Sequence, residues 1–389
     1  MTRLAACATA VLLAPLSALA QDAPPPAENS ILTWSFEQQK TGYRSMETVA
    51  AHQVVKRGES VFPLPAGTAI DPAFEIGGVR HTVESFMEAY RASGVLAIKD
   101  GKVILERYGL GRGPDDRWTS FSVAKSVTAT LAGAAVKDGF IQSLDDPVSR
   151  YIPEMKGSAY DEVTVRQLLT MTSGVEWNED YTDLNSDVAK VGLSVLEAGV
   201  NPVVSYMRRL PRAVPPGTKF NYSTGETDLA GIVVSKAVGK PLAQYLSEKI
   251  WAPFGMEQDA IWIEDVAGHE RGGCCMSMTL RDYGRLGVFM LGGGVAGGRQ
   301  VLPDGWAQEA TRSHIAVSPD NPAAGGYGYF WWINTDGSYQ ARGIFGQSIT
   351  VVPEENLVIV VNSAWPRATG RDLHEAREAF IAAVRAAAK

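Results

Sequence analysis

Ser122-Val123-Ala124-Lys125 is the one Ser-x-x-Lys of this chain that opens a strongly helical run. Residues three apart on a helix lie one above the other, so a hydroxyl and an amine at that spacing can share a proton without help from a distant segment. If the helix begins at the serine, its Oγ also sits at the positive end of the macrodipole, which favours a developing alkoxide. The chemistry this permits is attack by Ser122 with Lys125 as general base and no histidine. A Ser-x-x-Lys is short, and such tetrapeptides also occur on ordinary solvated helices. The surroundings here are less ordinary. Val127 to Val136 is almost wholly Ala, Val, Leu, Gly and Thr, the composition of a helix buried on most sides. A lysine at the mouth of a buried helix is costly unless it has a partner or a task.

Such a pair needs a group to pass the proton to the leaving atom. Asn221-Tyr222-Ser223-Thr224-Gly225-Glu226 offers one, because it follows the turn Pro215-Pro216-Gly217 and precedes a helix. Tyr222 would then stand on a loop held between rigid elements, and a phenol beside a cationic lysine is expected to have a lowered pKa and to work as acid and base. The alternative is a tyrosine that packs its ring at the base of a loop.

The elements that must position these residues fall into three blocks. Gly94 to Lys99 and Lys102 to Tyr108 flank Asp100-Gly101, a hairpin signature. Near the other end, Tyr327 to Asn334, Gln340 to Val352 and Leu357 to Asn362 are separated by Asp336-Gly337 and by Pro353-Glu354-Glu355-Asn356, the pattern of an antiparallel meander. Between them lie helical patterns over 122–139, 163–171, 202–209, 226–238, 242–250 and 279–291, and two more cover 83–92 and 371–389. The loops 174–187 and 211–224 are longer than connection requires, which is where function is often carried. The expected fold class is α+β: an antiparallel sheet drawn from both chain ends and flanked by helices, with an inserted, mainly helical domain. The division is residues 21–78 as an N-terminal extension packing on the core and 79–389 as the catalytic domain, with a sheet lobe (79–121 and 292–389) and a helical lobe (122–291). The Ser122 helix leaves the sheet for the insertion, so it stands at a boundary where a cleft is expected.

Composition narrows the partners. The 389 residues are 45% hydrophobic and 20% charged with a net charge of -7, so there is no basic footprint for nucleic acid. Arg3, the apolar stretch Leu4 to Leu16 and Ala18-Leu19-Ala20 form an export signal over residues 1–20, with Asp22-Ala23-Pro24-Pro25-Pro26 ending any helix after it. An exported, periplasmic protein without an integral membrane segment after signal removal is expected. Cys7 leaves with the signal. Cys274 and Cys275 are adjacent, where an ordinary bridge is geometrically unfavourable, and read as two small buried side chains. None of the five histidines forms a His-Glu-x-x-His, so neither a metal nor another cofactor is expected; His269-Glu270, beside Gly272-Gly273, is a candidate to line the cleft. There is no Gly-x-Ser-x-Gly elbow, which argues against an α/β-hydrolase. Nothing in the sequence specifies an oligomeric state.

Taken together, Ser122 and Lys125 on a helix, Tyr222-Ser223-Thr224 on a loop, and the phrases Leu144-Asp145-Asp146-Pro147-Val148, Leu168-Leu169-Thr170-Met171-Thr172-Ser173-Gly174 and Pro215-Pro216-Gly217-Thr218 resemble, in order, the penicillin-recognising serine hydrolases. That superfamily includes class C β-lactamases, D-Ala-D-Ala carboxypeptidases and related esterases. The resemblance runs from about Val95 to Ser363 and implies a serine β-lactamase/penicillin-binding-protein-like fold, with Ser122, Lys125 and Tyr222 as the catalytic groups. Two departures matter. Threonine stands third in the tyrosine motif. The usual Lys-Thr-Gly of the cleft strand is replaced by Ala341-Arg342-Gly343-Ile344-Phe345-Gly346-Gln347-Ser348, and the only Lys-Thr-Gly, Lys40-Thr41-Gly42, is out of order and read as coincidence. The Gly-Ile-x-Gly-Gln strand, with Thr33-Trp34-Ser35-Phe36, Tyr43-Arg44-Ser45-Met46 and Tyr181, is similar to the 6-aminohexanoate-dimer (nylon-oligomer) hydrolase branch. That likeness implies an oxyanion hole from the N–H groups of Ser122 and Ile344, and Tyr181 closing over a substrate amide. Thr224, Gly343 and Gln347 join the substrate-binding set, although Gln347 also reads as an ordinary strand residue. The implied activity is hydrolysis of a small-molecule amide or ester. A β-lactamase or carboxypeptidase is the alternative enzyme, and a periplasmic ligand-binding sensor on the same fold is the non-enzymatic one.

Overall fold

Asp100 and Gly101 both take positive φ, 51° and 73°, and Lys99 pairs with Lys102 across them, so the hairpin forms where the Asp-Gly signal lies. The computed structural model describes residues 28–192 and 197–389. The expected export signal over residues 1–20, Cys7 included, lies outside the described residues. Lys102–Tyr108, Ala92–Lys99, Leu357–Ser363, Gln347–Val352, Tyr339–Gly343, Trp332–Ile333, Gly326–Tyr327 and Ile315–Ala316 form, in that order, an eight-stranded antiparallel sheet. It is assembled from both ends of the chain, because Leu357–Ser363 pairs with Ala92–Lys99 on one side and Gln347–Val352 on the other.

Leu357, Ile359 and Val361 pack with Phe86 and Phe380 on one face, while Val358 and Val360 pack with Leu286 and Phe289 on the other. This is the period-two alternation of a strand covered on both sides, which is why the segment reads as one unbroken apolar run. The Arg371–Ala387 helix lies on the first face, and the Leu280–Leu291 and Val123–Lys137 helices lie on the second. The Val123–Lys137 helix also packs on Thr224–Val238, so the serine and tyrosine segments meet above the sheet. No helix among the described residues is long and apolar enough to cross a membrane.

Three features differ from the sequence reading. The middle of the chain is not helical throughout: Ala260–Ile263 and Met276–Met278 join His52–Val55 and Trp118–Thr119 in a second, four-stranded sheet. Ala260-Ile261-Trp262-Ile263 is too short an apolar run for periodicity to separate strand from buried helix. Gln340 to Val352 is two strands, turned at Ile344–Gly346 where Phe345 has φ 57° and Gly346 has φ 92°. Tyr327 to Asn334 likewise splits at Phe330, whose φ is also 57°. An aromatic residue scores as strand and gives no warning that its backbone is left-handed.

Candidate active site

The site begins one residue before the serine. Phe121 has φ 43°, a left-handed conformation that costs about 1–3 kcal/mol in a bulky residue and persists only where packing enforces it. Here the Phe121 ring lies 5.2 Å from that of Tyr43 and 5.3 Å from that of Phe345, within a cluster that also holds Trp34 and Met46. The N-terminal extension therefore braces the turn into the Ser122 helix. Ser122 is the N-cap of Val123–Lys137 but makes no side-chain cap bond, which leaves its Oγ free for other work. The N–H groups of Val123, Ala124 and Lys125 bond to the carbonyls of Ser120, Phe121 and Ser122. Among the described residues no carbonyl takes up the N–H of Ser122 itself.

Lys125 is 1% exposed, and its Nζ lies 3.2 Å from Ser122 Oγ, 2.9 Å from Thr224 Oγ1 and 2.6 Å from the Gly273 carbonyl oxygen. Burial pulls its pKa down to about 8, against the opposing charges of Glu179 and Asp228. A lysine so placed has a populated neutral form near physiological pH and can accept the proton of Ser122.

Tyr222 is held by its loop. Asn221 N–H donates to Met171 O at 2.9 Å, Gly217 N–H donates to Thr172 O at 2.7 Å, and Ser223 caps the Thr224–Val238 helix by accepting from Glu226 N–H. The Tyr222 ring stacks on Trp332 at 5.6 Å, with Tyr327 edge-on to both, and Lys125 Nζ lies 5.3 Å from the Tyr222 ring centroid. The expected lowering of the phenol pKa is wrong in direction. Burial raises it first, the Glu179 charge raises it further, and the hydrogen bond with Ser122 offsets only part of this.

The strand end that carries Gly343 and Ile344 abuts the nucleophile. A Cβ built on Gly343 would stand 2.5 Å from the Ser120 carbonyl oxygen and 3.1 Å from Ser122 N. Its φ of -125° is open to any residue, so space, and not conformation, demands glycine here. Gly343→Ala is expected to push the strand off the serine turn and lower kcat/KM about a hundredfold, the scale of one lost oxyanion donor. Steady-state kinetics beside a melting curve checks this: unchanged turnover in a folded variant removes the strand from the hole.

Other candidates are placed differently. The Gln347 side chain donates to the Ser363 and Phe345 carbonyls at 2.7 and 3.1 Å and accepts from Ser363 N–H, so it ties the turn to the next strand and does not face substrate. Thr224, also expected at the substrate, has its hydroxyl engaged by Lys125 and Glu179. Tyr181 stands at the site, but its hydroxyl donates to Glu179 Oε1 at 2.7 Å. His269 is bound up with Asp265 and Asn201, and Glu270 accepts from Ala243 N–H, so that pair does not meet the serine. Lys40 is ion-paired with Glu37 on the Phe36–Gly42 helix, away from the cleft. Cys274 and Cys275 pair with each other as a vicinal disulfide, where two small buried side chains without a bridge are expected from the sequence. Among the described residues no group of three or more His, Cys, Asp or Glu side chains is arranged to hold a metal ion.

Two groups at the site escaped the sequence reading. One is the Gly273 carbonyl, presented to Lys125 by a turn whose Gly273 N–H donates to Asp228 Oδ1 at 2.7 Å. A backbone acceptor has no sequence signal beyond the Gly272-Gly273 pair. The other is Glu179, which lies on the long loop already singled out, two residues before Tyr181.

Comparison with known proteins finds similarity over most of the chain. The β-lactamase family model matches residues 79–383. The 6-aminohexanoate-dimer hydrolase of Paenarthrobacter ureafaciens is 32% identical over 305 residues, covering 75% of this chain and 77% of its own. A β-lactamase of Pseudomonas fluorescens is 27% identical over 221 residues, 54% of this chain and 55% of its own. Among solved structures, a candidate 6-aminohexanoate-dimer hydrolase from Bacillus anthracis superposes with a TM-score of 0.80 at 22% identity, over 90% of this chain and 94% of that one. A family VIII carboxylesterase superposes at 0.58 with 15% identity, over 77% and 96%. At those identities the two structures speak to the fold alone, whereas the family match spans most of the sequence: the chain belongs to the β-lactamase family of serine hydrolases, which act on amide and ester bonds.

Proposed function

We propose that this hydrolase cleaves short-chain esters and linear amides that place no charge against the cleft strand, through an acyl-enzyme on Ser122, in the manner its likeness to a 6-aminohexanoate-dimer hydrolase suggests. The observation that carries this reading is the buried Lys125 amine, 3.2 Å from the Ser122 oxygen. Lys125 takes the Ser122 proton as Oγ bonds to the substrate carbonyl carbon, and the N–H groups of Ser122 and Ile344 receive the oxyanion. The environments of the two relay groups then sort their roles. The lysine is pulled toward neutrality and the phenol is held protonated, so Lys125 is the base and Tyr222 the acid that protonates the leaving oxygen or nitrogen. As Tyr222 gives up its proton, Lys125 replaces it. Water then attacks the acyl carbon with the proton moving back along the same groups, and Ser122 is regenerated. The N-terminal segment supports an exported enzyme.

The preference for substrates with no charge at that point rests on Arg342, the cation carried by the cleft strand itself. The Arg342 guanidinium lies over the Trp332 ring at 5.3 Å, bonded to Gln340 and Asn334 and 3.9 Å from Glu378. It is therefore already partnered, and a penicillin or cephalosporin carboxylate would be desolvated beside the aromatic wall without a pairing charge. A buried unpaired carboxylate costs several kcal/mol, on the order of a thousandfold in kcat/KM. Short-chain p-nitrophenyl esters are expected to turn over clearly and nitrocefin weakly or not at all, with fluorophosphonate labelling confined to Ser122. Nitrocefin hydrolysis as efficient as that of the esters replaces this reading by a β-lactamase. A folded protein that is neither labelled nor active makes it a binding protein.

A further inference from the structure

A neutral lysine amine has two N–H bonds and one lone pair, and at Lys125 three oxygens compete for them. The Gly273 carbonyl, at 2.6 Å, can only accept. The Ser122 and Thr224 hydroxyls, at 3.2 and 2.9 Å, could each accept or donate. Catalysis requires the lone pair to face Ser122, so something must stop Thr224 from claiming it. Glu179 is placed to do so. Its Oε1 takes the hydroxyl proton of Thr224 and its Oε2 takes the Thr224 backbone N–H at 2.9 Å. An ionised carboxylate accepts only, so the Thr224 oxygen is left with nothing but lone pairs toward Lys125. The carboxylate is itself pinned from the other side by Trp177 Nε1 and by the Tyr181 hydroxyl at 2.7 Å. Four donors on its two oxygens leave it no capacity for substrate.

We propose that Glu179 is a positioning residue of the hydrolytic reaction: it fixes the Thr224 hydroxyl as an acceptor, so both Lys125 N–H bonds are directed away and the lone pair points at Ser122. The inference rests on the Ser122–Lys125 reading above and goes beyond it in assigning a carboxylate that acts through a neighbour. Burial is the largest influence on the charge state of Lys125, and three charged groups act beside it. Glu179 and Asp228 favour the ammonium, while burial and Arg271, which is 3.4 Å from Asp228, favour the free amine; the Tyr222 ring faces it as well. Removing the Glu179 charge therefore has two separable consequences. The amine titrates at lower pH, and at every pH its lone pair is less well aimed.

The test is kcat/KM for a p-nitrophenyl ester against pH, from about pH 5 to 10, in the full-length protein. Wild-type turnover and Ser122 labelling are scored first, since their absence sinks the parent reading and not this one. Glu179→Gln, nearly isosteric, is expected to lower the plateau by at least about tenfold and to move the acid limb to lower pH. Thr224→Val, which keeps the Glu179 charge, should lower the plateau to a similar extent with its acid limb near the wild-type position, Thr224→Ser should keep most of the activity, and the Glu179→Gln/Thr224→Val double variant should have a plateau little below that of Thr224→Val alone. In Glu179→Gln, an acid limb that stays in place while the plateau drops makes Glu179 a loop anchor and overturns the proposal, as does a Glu179→Gln variant with wild-type kinetics. If Glu179→Gln does not fold, the Thr224 pair decides: equal losses in the valine and serine variants overturn it too.

Discussion

Ser122→Ala is expected to remove turnover and covalent labelling together and to leave the fold standing. Losing a serine nucleophile that acts as one unit with its base lowers kcat on the order of 10⁵–10⁶-fold, because neither partner retains a function alone. The stability change should stay within about 1 kcal/mol, the small end for a helix N-cap, since the Ser122 side chain makes no capping bond in the first place. Lys125 still has the Thr224 hydroxyl and the Gly273 carbonyl in the variant, so no buried amine is orphaned. Intact-mass analysis after fluorophosphonate treatment, run beside a urea melt, reads both halves. A phosphonyl adduct that persists in the variant puts the nucleophile elsewhere.

The parts of this site visible in the sequence are those fixed by local spacing. Ser122 and Lys125 are three residues apart on one helix, and Tyr222 is framed by a proline–glycine turn and a helix cap, so neither needs the tertiary fold to be suspected. The sheet was legible for the same reason. Asp100-Gly101 and the apolar runs on either side of it specify their own register, and a strand such as Leu357–Ser363, buried on both faces, cannot be mistaken for an amphipathic helix. What stayed hidden depends on residues far apart in sequence. Glu179 acts on Lys125 by its charge and through the Thr224 hydroxyl, and Gly273 reaches it through a backbone oxygen. The sign of the Tyr222 shift was misread because a neighbouring lysine argues for a lower pKa only if that lysine is charged and no carboxylate is near. Burial of the phenol itself is the larger cause of the rise, and the Glu179 charge adds to it. Left-handed Phe121 and Phe345 belong with these: their conformations follow from packing against Tyr43, from a segment of the chain with no local signal of that role.

Lys125→Met should be inactive and, near neutral pH, more stable than the wild type. Methionine keeps the length and apolar stem of the side chain, avoiding the cavity that alanine would leave, while it deletes the amine. The sign follows from the lysine itself. Its pKa in the folded protein, about 8, lies below the ordinary 10.5 of an unfolded chain. Below about pH 8 the native state therefore carries a buried ammonium at a cost. Between there and about pH 10.5 the unfolded state holds a proton the native state lacks, so stability rises with pH. The variant lacks this dependence, and its advantage, on the order of a few kcal/mol at pH 6 before the lost hydrogen bonds of Thr224 and Gly273 are subtracted, should shrink toward pH 10. In catalysis, Lys125→Met and Tyr222→Phe should each lower kcat by roughly a thousandfold or more, and the double variant should be little worse than the worse single, because a proton that cannot leave Ser122 has no use for a donor at the leaving atom. Urea melts across that pH range and a four-variant kinetic cycle measure the two effects independently. Losses that multiply would show that the lysine and the phenol serve different steps; a lysine variant less stable than wild type at every pH would show that the amine is a net structural anchor, with its hydrogen bonds to Thr224 and Gly273 outweighing the cost of burying its charge.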